Sequence, residues 1–219
     1  MNKLEILYED NHIIVVFKPV NILSQGDSTK DLDMLTMIKE YIKEKYNKPG
    51  NVYLGLVHRL DRVTSGIMVF AKTSKAASRL SEEVRDNKFH KDYLAIVHGK
   101  VSDNKYEDYL LKRDDFSTVV DKKGKYASLT FNLLEYDKKN DLSLVDVHLE
   151  TGRHHQIRVQ FSSRNHPLVG DRRYGNDNYD TLGLCAYHLS FIHPVKKDVM
   201  DFIRYPKGSI WNFNYLKER

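Results

Sequence analysis

Two short apolar runs limit the fold of this chain more than any other feature. Ile13-Ile14-Val15-Val16-Phe17 and Gly66-Ile67-Met68-Val69-Phe70-Ala71 each lie between polar residues. Both are far shorter than the roughly 20 residues a helix needs to cross a bilayer. The first belongs to a strand pair, ILYEDNHIIVVFKP, that Pro19 ends, and the second reads as a buried strand. Such runs need cover, and the intervening segments supply it. Between Asp31 and Tyr46, Leu35, Ile38 and Ile42 share one helical face, and Lys48-Pro49-Gly50 stops the helix. After Ala71 a helix capped by Thr73 or Ser74 turns Ala76, Leu80 and Val84 inward. Lys91 to Val97 alternates as a strand.

Residues 127–136 and 142–149 read as a hairpin around Lys138-Lys139-Asn140-Asp141. Two more strands, 182–191 and 199–205, flank the turn from His193 to Lys197. The pattern predicts a mixed α+β fold with a largely antiparallel sheet. No repeat, low-complexity tract or Gly/Ser linker marks a boundary, so the expectation is a single domain over residues 1–219, or two lobes sharing a core.

Cys185 is the only cysteine, which excludes an intrachain disulfide framework and a multi-cysteine zinc site. The opening MNKLEILYEDNH has acids where a signal peptide needs an apolar run. The expectation is a soluble cytoplasmic protein.

The net charge of +5 is a weak sign of a polyanionic partner. Its distribution says more. Of 12 arginines, seven (59, 62, 153, 158, 164, 172 and 173) fall in the windows 58–66 and 151–175, where none of the 23 lysines lies. Guanidinium is favoured where carboxylate or phosphate is gripped bidentately, so the segregation points to a site. In the first window, HRLDR, Asp61 stands between Arg59 and Arg62, either as an ion-paired loop anchor or as a nucleophile in a phosphate-binding surface. In the second, Gly170 and Gly175 bracket Asp-Arg-Arg-Tyr, a loop suited to bring amides and guanidiniums to phosphates; the plainer alternative is a solvated basic face. Tyr93, beside His90 and Lys91, is either a stacking surface for a base or a core-facing strand residue.

Other chemistries find less support. His154, His155, His166, His188 and His193 show no H-x-x-x-H or H-E-x-x-H spacing, so no metal is expected. A G-x-S-x-G elbow, a Walker-A loop and a G-x-G-x-x-G are all missing, and no cofactor is expected.

HRLDRVTSG resembles the signature of the pseudouridine synthases that act on large-subunit rRNA and some tRNAs. In the same order, YEDNHIIVVFKP, KDYLAIVHG, TGRHHQIRVQ, HPLVGDRRYG and LCAYHLSFIHP resemble that family's further motifs, covering residues 8 to 194. The resemblance implies the pseudouridine synthase fold, with two lobes around a basic cleft, and isomerisation of a flipped uridine. It makes Asp61 the catalytic carboxylate and Arg59 the arginine that enters the stack where the base has left. Tyr93 becomes the tyrosine that packs on that base and takes part in removing a proton, and Arg158 the basic residue paired with the aspartate. Arg62, His58, Arg153, His155, Arg172 and Arg173 are the expected RNA contacts.

An ordinary Asp, with a pKa of about 3.9, is ionised at pH 7 and needs positioning rather than tuning. The expected partner is a structured rRNA or tRNA stem-loop, bound by a monomer without an N-terminal RNA-binding module. The chain departs from the family at His154 (usually Thr), Gln160 (usually His) and Cys185 (often His). Ile157, Val159 and Phe161 alternate like a strand where the resemblance implies a helix, which we adopt. Two rival readings are an RNA-binding protein of this fold without turnover and a histidine-dependent hydrolase. The retention of Asp61, Tyr93 and Arg158 speaks against the first.

Overall fold

Asp10 makes the first turn. Its Oδ1 accepts the amides of His12 and Ile13 at 2.8 and 2.9 Å, and its Oδ2 accepts the Tyr8 hydroxyl. This joins β1 (Glu5–Glu9) to β2 (Ile13–Lys18) as an antiparallel pair. The computed structural model describes residues 4–86, 88–102 and 104–219. The chain divides into two units, one made of the chain up to His90 plus Ala186–Arg204, the other of Lys91–Cys185 plus Tyr205–Arg219.

In the first unit, α1 (Met34–Lys45) starts at Asp33, whose carboxylate accepts the Thr36 amide. Met34, Ile38 and Ile42 form its buried stripe at i, i+4 and i+8; Leu35 falls on the edge of that stripe and is half-buried. β3 (Gly55–Leu56) and β2 both pair antiparallel with β4 (Ser65–Ala71). Every residue of β4 is buried, as expected of a run that does not alternate. α2 (Ser74–Arg85) begins at Thr73, whose hydroxyl accepts the Ala76 amide. Ala76 and Leu80 pack with Ile13, Val15, Ile67 and Val69, and Val84 rests on the rim of that cluster.

In the second unit the strands are β5 (His90–His98), β6 (Lys105–Lys112), β7 (Thr118–Val120), β8 (Lys125–Asp137) and β9 (Leu142–Leu149). Their order is β5-β9-β8-β6-β7, antiparallel throughout. The predicted β8–β9 hairpin forms where Asp137 accepts the amides of Lys139 and Asn140 and Asp141 takes a left-handed φ of 54°. The segment HQIRVQF is a helix, α3 (Gln156–Ser162), and its residues 156–161 are all buried. An element buried all round loses its periodic signature, which is why the alternation read like a strand. Phe161 anchors it in an aromatic triangle with Tyr106 and Phe131, ring centres 4.8–5.0 Å apart.

The chain then forms the hairpin β10 (Leu184–Ile192) and β11 (Val199–Ile203), as predicted. Its turn is built on buried His193, whose Nδ1 accepts the amides of Val195 and Lys196. In the first unit β10 lies beside β4. Gly66 has φ 143° there, and a Cβ on it would sit 2.5 Å from the Ala186 carbonyl oxygen, so only glycine fits. A short helix, α4 (Asn214–Lys217), closes the chain. Among the described residues no helix is long and apolar enough to cross a membrane.

Candidate active site

Asp61 sits between β3 and β4 on a segment whose side chains alternate in and out. His58 and Leu60 are buried, Arg59 and Arg62 exposed, and Asp61 half-buried. The main chain around it is gripped from both sides. The Ser24 hydroxyl donates to the Leu60 carbonyl at 2.7 Å and accepts the Leu60 amide at 3.1 Å. The Arg62 carbonyl accepts the Asn21 amide at 2.8 Å and the Lys18 ammonium at 3.1 Å. A turn bond from the Thr64 amide to the Asp61 carbonyl closes the loop.

Lys18 is fully buried and also donates to the carbonyls of Pro19 and Ile22, at 3.0 and 2.7 Å. Burial pushes its ammonium down to about 7; nearby Asp61 opposes that and Arg62 adds to it. The sequence reading missed Lys18 and Ser24. A lysine ending an apolar strand just before Pro19 was the available signal.

Arg158 lies on α3 in the second unit. Its Nε and Nη2 each donate at 2.7 Å to Asp171, forming a buried bidentate pair, a partner the sequence reading did not assign to it. Asp171 Oδ1 also accepts the amides of Arg173 and Tyr174, so the carboxylate is saturated. Tyr174 lies with its ring 5.1 Å from the Arg158 guanidinium carbon. Its hydroxyl accepts the Thr118 amide and bonds His155 Nδ1 at 2.7 Å, and burial pushes its pKa up. Tyr93 is buried on β5, opposite Val147.

Two expectations need correction. Three amides of the Gly170–Gly175 loop are taken up inside the protein: those of Arg173 and Tyr174 serve Asp171, and that of Gly170 serves Asp177. His58, expected to touch RNA, is 7% exposed; its Nε2 accepts the Val69 amide and its ring packs 5.0 Å from Phe89. That is an interior role.

The arginine windows divide in the same way. Arg164 is structural, paired with Asp108 and stacked 4.1 Å over Tyr106. Arg62 pairs with Asp31 where both are exposed, an interaction worth about 0–1 kcal/mol. Arg153 donates to the Tyr126 carbonyl and Arg173 to that of Asp115. Arg172 is well exposed, 3.6 Å from Asp180. Arg59 has no hydrogen-bond or ion-pair partner among the described residues.

The departures have local partners. His154 bonds Thr118 Oγ1 at 2.8 Å and stacks on His155 at 3.7 Å. Gln160 donates to Asp108, and Cys185 is buried. His98, His188 and His193 each bond an aspartate, and His166 the His98 carbonyl. Among the described residues no three of His, Cys, Asp and Glu are placed to hold a metal.

The fold is one already seen in a solved human protein, RNA Pseudouridylate Synthase Domain Containing 4. That structure matches with a TM-score of 0.76 at 22% identity, over 92% of this chain and 88% of that one. The sequence profile of the family described as RNA pseudouridylate synthase matches residues 12–163. The chain is also 34% identical to an "Uncharacterized RNA pseudouridine synthase" of Aquifex aeolicus, over 98% of this chain and 73% of that protein. It is 35% identical to "Ribosomal large subunit pseudouridine synthase C" of Buchnera aphidicola (subsp. Acyrthosiphon pisum, strain APS), over 86% of this chain; the aligned part spans 63% of that relative. The chain belongs to the RNA pseudouridylate synthase family.

Proposed function

We propose that this chain converts uridine to pseudouridine in a structured rRNA or tRNA stem-loop, with Asp61 as its catalytic carboxylate. The observation that carries the reading is the clamp on the Asp61 turn. Ser24, Asn21 and Lys18 fix the main chain on both sides of a half-buried acid that stands in the motif HRLDRVTSG, whose resemblance implies a catalytic role. An ordinary ion-pair anchor needs no such scaffolding, whereas a group that must meet a sugar–base bond needs its position set in advance.

The target leaves its stack at a cost of a few kcal/mol. Arg59, exposed and uncommitted, fills the vacancy. Asp61 assists cleavage of the N1–C1′ bond, the uracil turns, and C5 joins C1′. The C5 proton is lost and N1 gains one, so the product is an isomer and no external reactant is consumed. Tyr93 packs on the turning base and takes part in removing that proton. Arg158, held by Asp171, is the basic partner of the aspartate. Arg62, Arg153, Arg172, Arg173 and His155 contact the RNA, and Arg62 exchanges Asp31 for phosphate. The protein acts as a monomer, with residues 1–219 as its catalytic part.

Asp61→Asn tests this. It keeps the shape and the backbone clamp but removes the carboxylate. The variant is expected to melt and bind RNA like the parent and to form no pseudouridine on a mapped substrate. Substantial product from the folded variant refutes the assignment.

A further inference from the structure

We propose that the first unit carries a second RNA-binding groove, at the far end of its sheet from Asp61, which takes a single-stranded flank of the substrate. The inference rests on the reading of this protein as RNA-modifying and extends it to the part of the RNA that is not reacted. It begins with charge. Arg62, Arg153, Arg158, Arg164 and Arg173, five of the seven arginines that the sequence sets apart, already donate to carboxylates or carbonyls of the protein. Besides Arg59 and the well-exposed Arg172, further cations without such partners are found among the lysines.

The ammonium groups of Lys39, Lys43 and Lys48 have no hydrogen-bond or ion-pair partner among the described residues. Lys39 and Lys43 stand one turn apart on α1, and Tyr46 continues their stripe beyond the helix end. This face borders two neighbouring clefts, of about 350 and 370 Å³, that share Val52 in their walls, and we read them together as one groove. All three free lysines line it, against a single acid, Glu40.

The groove also presents aromatic faces. Tyr46 and Tyr53 line it and are 45% and 51% exposed. The Tyr46 ring is fixed: its hydroxyl donates to Glu9, and the ammoniums of Lys72 and Lys45 lie 4.9 and 5.3 Å from its centre. A positive groove with exposed rings is the physical recipe for single-stranded nucleic acid, whose bases stack while phosphates follow the cations. Lysine rather than arginine suits a contact that grips backbone without reading sequence.

Register places this groove relative to Asp61. β2 and β4 pair from Lys18 opposite Gly66 to Ile13 opposite Ala71. Lys18 serves the Asp61 turn, and Asn11 and Lys72, just past the other end, line the groove. The strand between them spans roughly 20 Å at about 3.3 Å per residue. A flank of a few nucleotides covers that distance, and free uridine or a minimal hairpin does not.

The test uses the full chain, two fluorescent RNAs and direct titration. The RNAs are one stem-loop with and without a single-stranded tail. The parent is expected to bind the tailed RNA more tightly. Lys39→Gln/Lys43→Gln/Lys48→Gln is expected to weaken tailed binding about tenfold and to flatten the salt dependence by about two log units per log unit of salt, as for three lost phosphate contacts. Tyr53→Ala should weaken the same RNA without flattening the slope. Neither variant should change binding of the untailed stem-loop or turnover at saturation. Equal losses on both RNAs, or none, overturn the groove, as does lost binding to phosphatidylserine vesicles with tailed-RNA affinity intact. Binding is read without turnover, so a parent that bound the tail but made no pseudouridine would refute the enzymatic reading and leave the groove standing.

Discussion

Replacing Lys18 by methionine isolates the electrostatics of the Asp61 turn. The ammonium is fully buried, bonded to the carbonyls of Pro19, Ile22 and Arg62, and burial pushes it down to about 7. An unfolded lysine titrates near 10.4. Between those values the unfolded chain holds more protons than the folded one, so stability rises with pH, by at most about 1.4 kcal/mol per pH unit. From pH 7 to pH 10 the group contributes roughly 3–4 kcal/mol of rising stability. Methionine matches the length and carries no charge, so it removes that slope. It also leaves the Pro19 and Ile22 carbonyls without the Lys18 donor, at about 1–3 kcal/mol each. Arg62 still has the Asn21 amide. Near pH 7 the loss of these bonds and the relief of a buried charge largely offset each other. Towards pH 10 the parent should be the more stable by several kcal/mol. Urea melts of both proteins at pH 7, 8, 9 and 10, with unchanged m-values, measure the difference. A difference that stays flat across that range refutes the reasoning, because it means the three carbonyls keep the proton on Lys18 throughout.

Glu9 gives the opposite limb. Burial raises its carboxyl, but hydrogen bonds from Lys45, Lys72, Tyr41 and Tyr46 outweigh that and hold it at about 2. Its contribution is therefore present above about pH 4.3 and lost as pH falls towards 2, so the parent's advantage over Glu9→Gln should vanish across that interval in acid melts. Asp171→Ala strips the carboxylate from buried Arg158 and orphans two amides; a loss of roughly 3–5 kcal/mol is expected, and an unchanged melting temperature refutes it. Arg59→Ala should slow turnover more on a stacked target uridine than on a bulged or mismatched one, because only the former needs a side chain to hold the gap open. Equal slowing on both, in single-turnover assays, sinks that role.

What could be read from the sequence was what side chains announce locally. The apolar runs at Ile13 and Gly66 became β2 and β4, and Thr73 capped α2. Neither β6 nor β7 was predicted: β6 mixes charges with its buried Tyr106 and Leu110, and β7 has only three residues. HRLDR was legible as a candidate site, but the supports of its main chain were not. Ser24 and Lys18 act on main-chain atoms 36 and 44 residues away, and a carbonyl acceptor leaves no mark in a sequence. The arginine clustering was real but ambiguous, since a guanidinium set for phosphate looks the same as one set for Asp171 or Asp108. His58 misled for the same reason: beside two exposed arginines, an inward-facing histidine cannot be told from a third outward group.

The clamp on the Asp61 turn has a consequence for how such a protein can change. Every support grips backbone: Ser24 holds Leu60 by its amide and carbonyl, and Asn21 and Lys18 hold Arg62 by its carbonyl. None of these bonds depends on which side chain stands at 59 or 62. Those two outward positions can be exchanged, by drift or by an engineer, while the carboxylate between them keeps its place. On the proposed reading, the placement of the carboxylate is thereby insulated from the side chains that stand on either side of it.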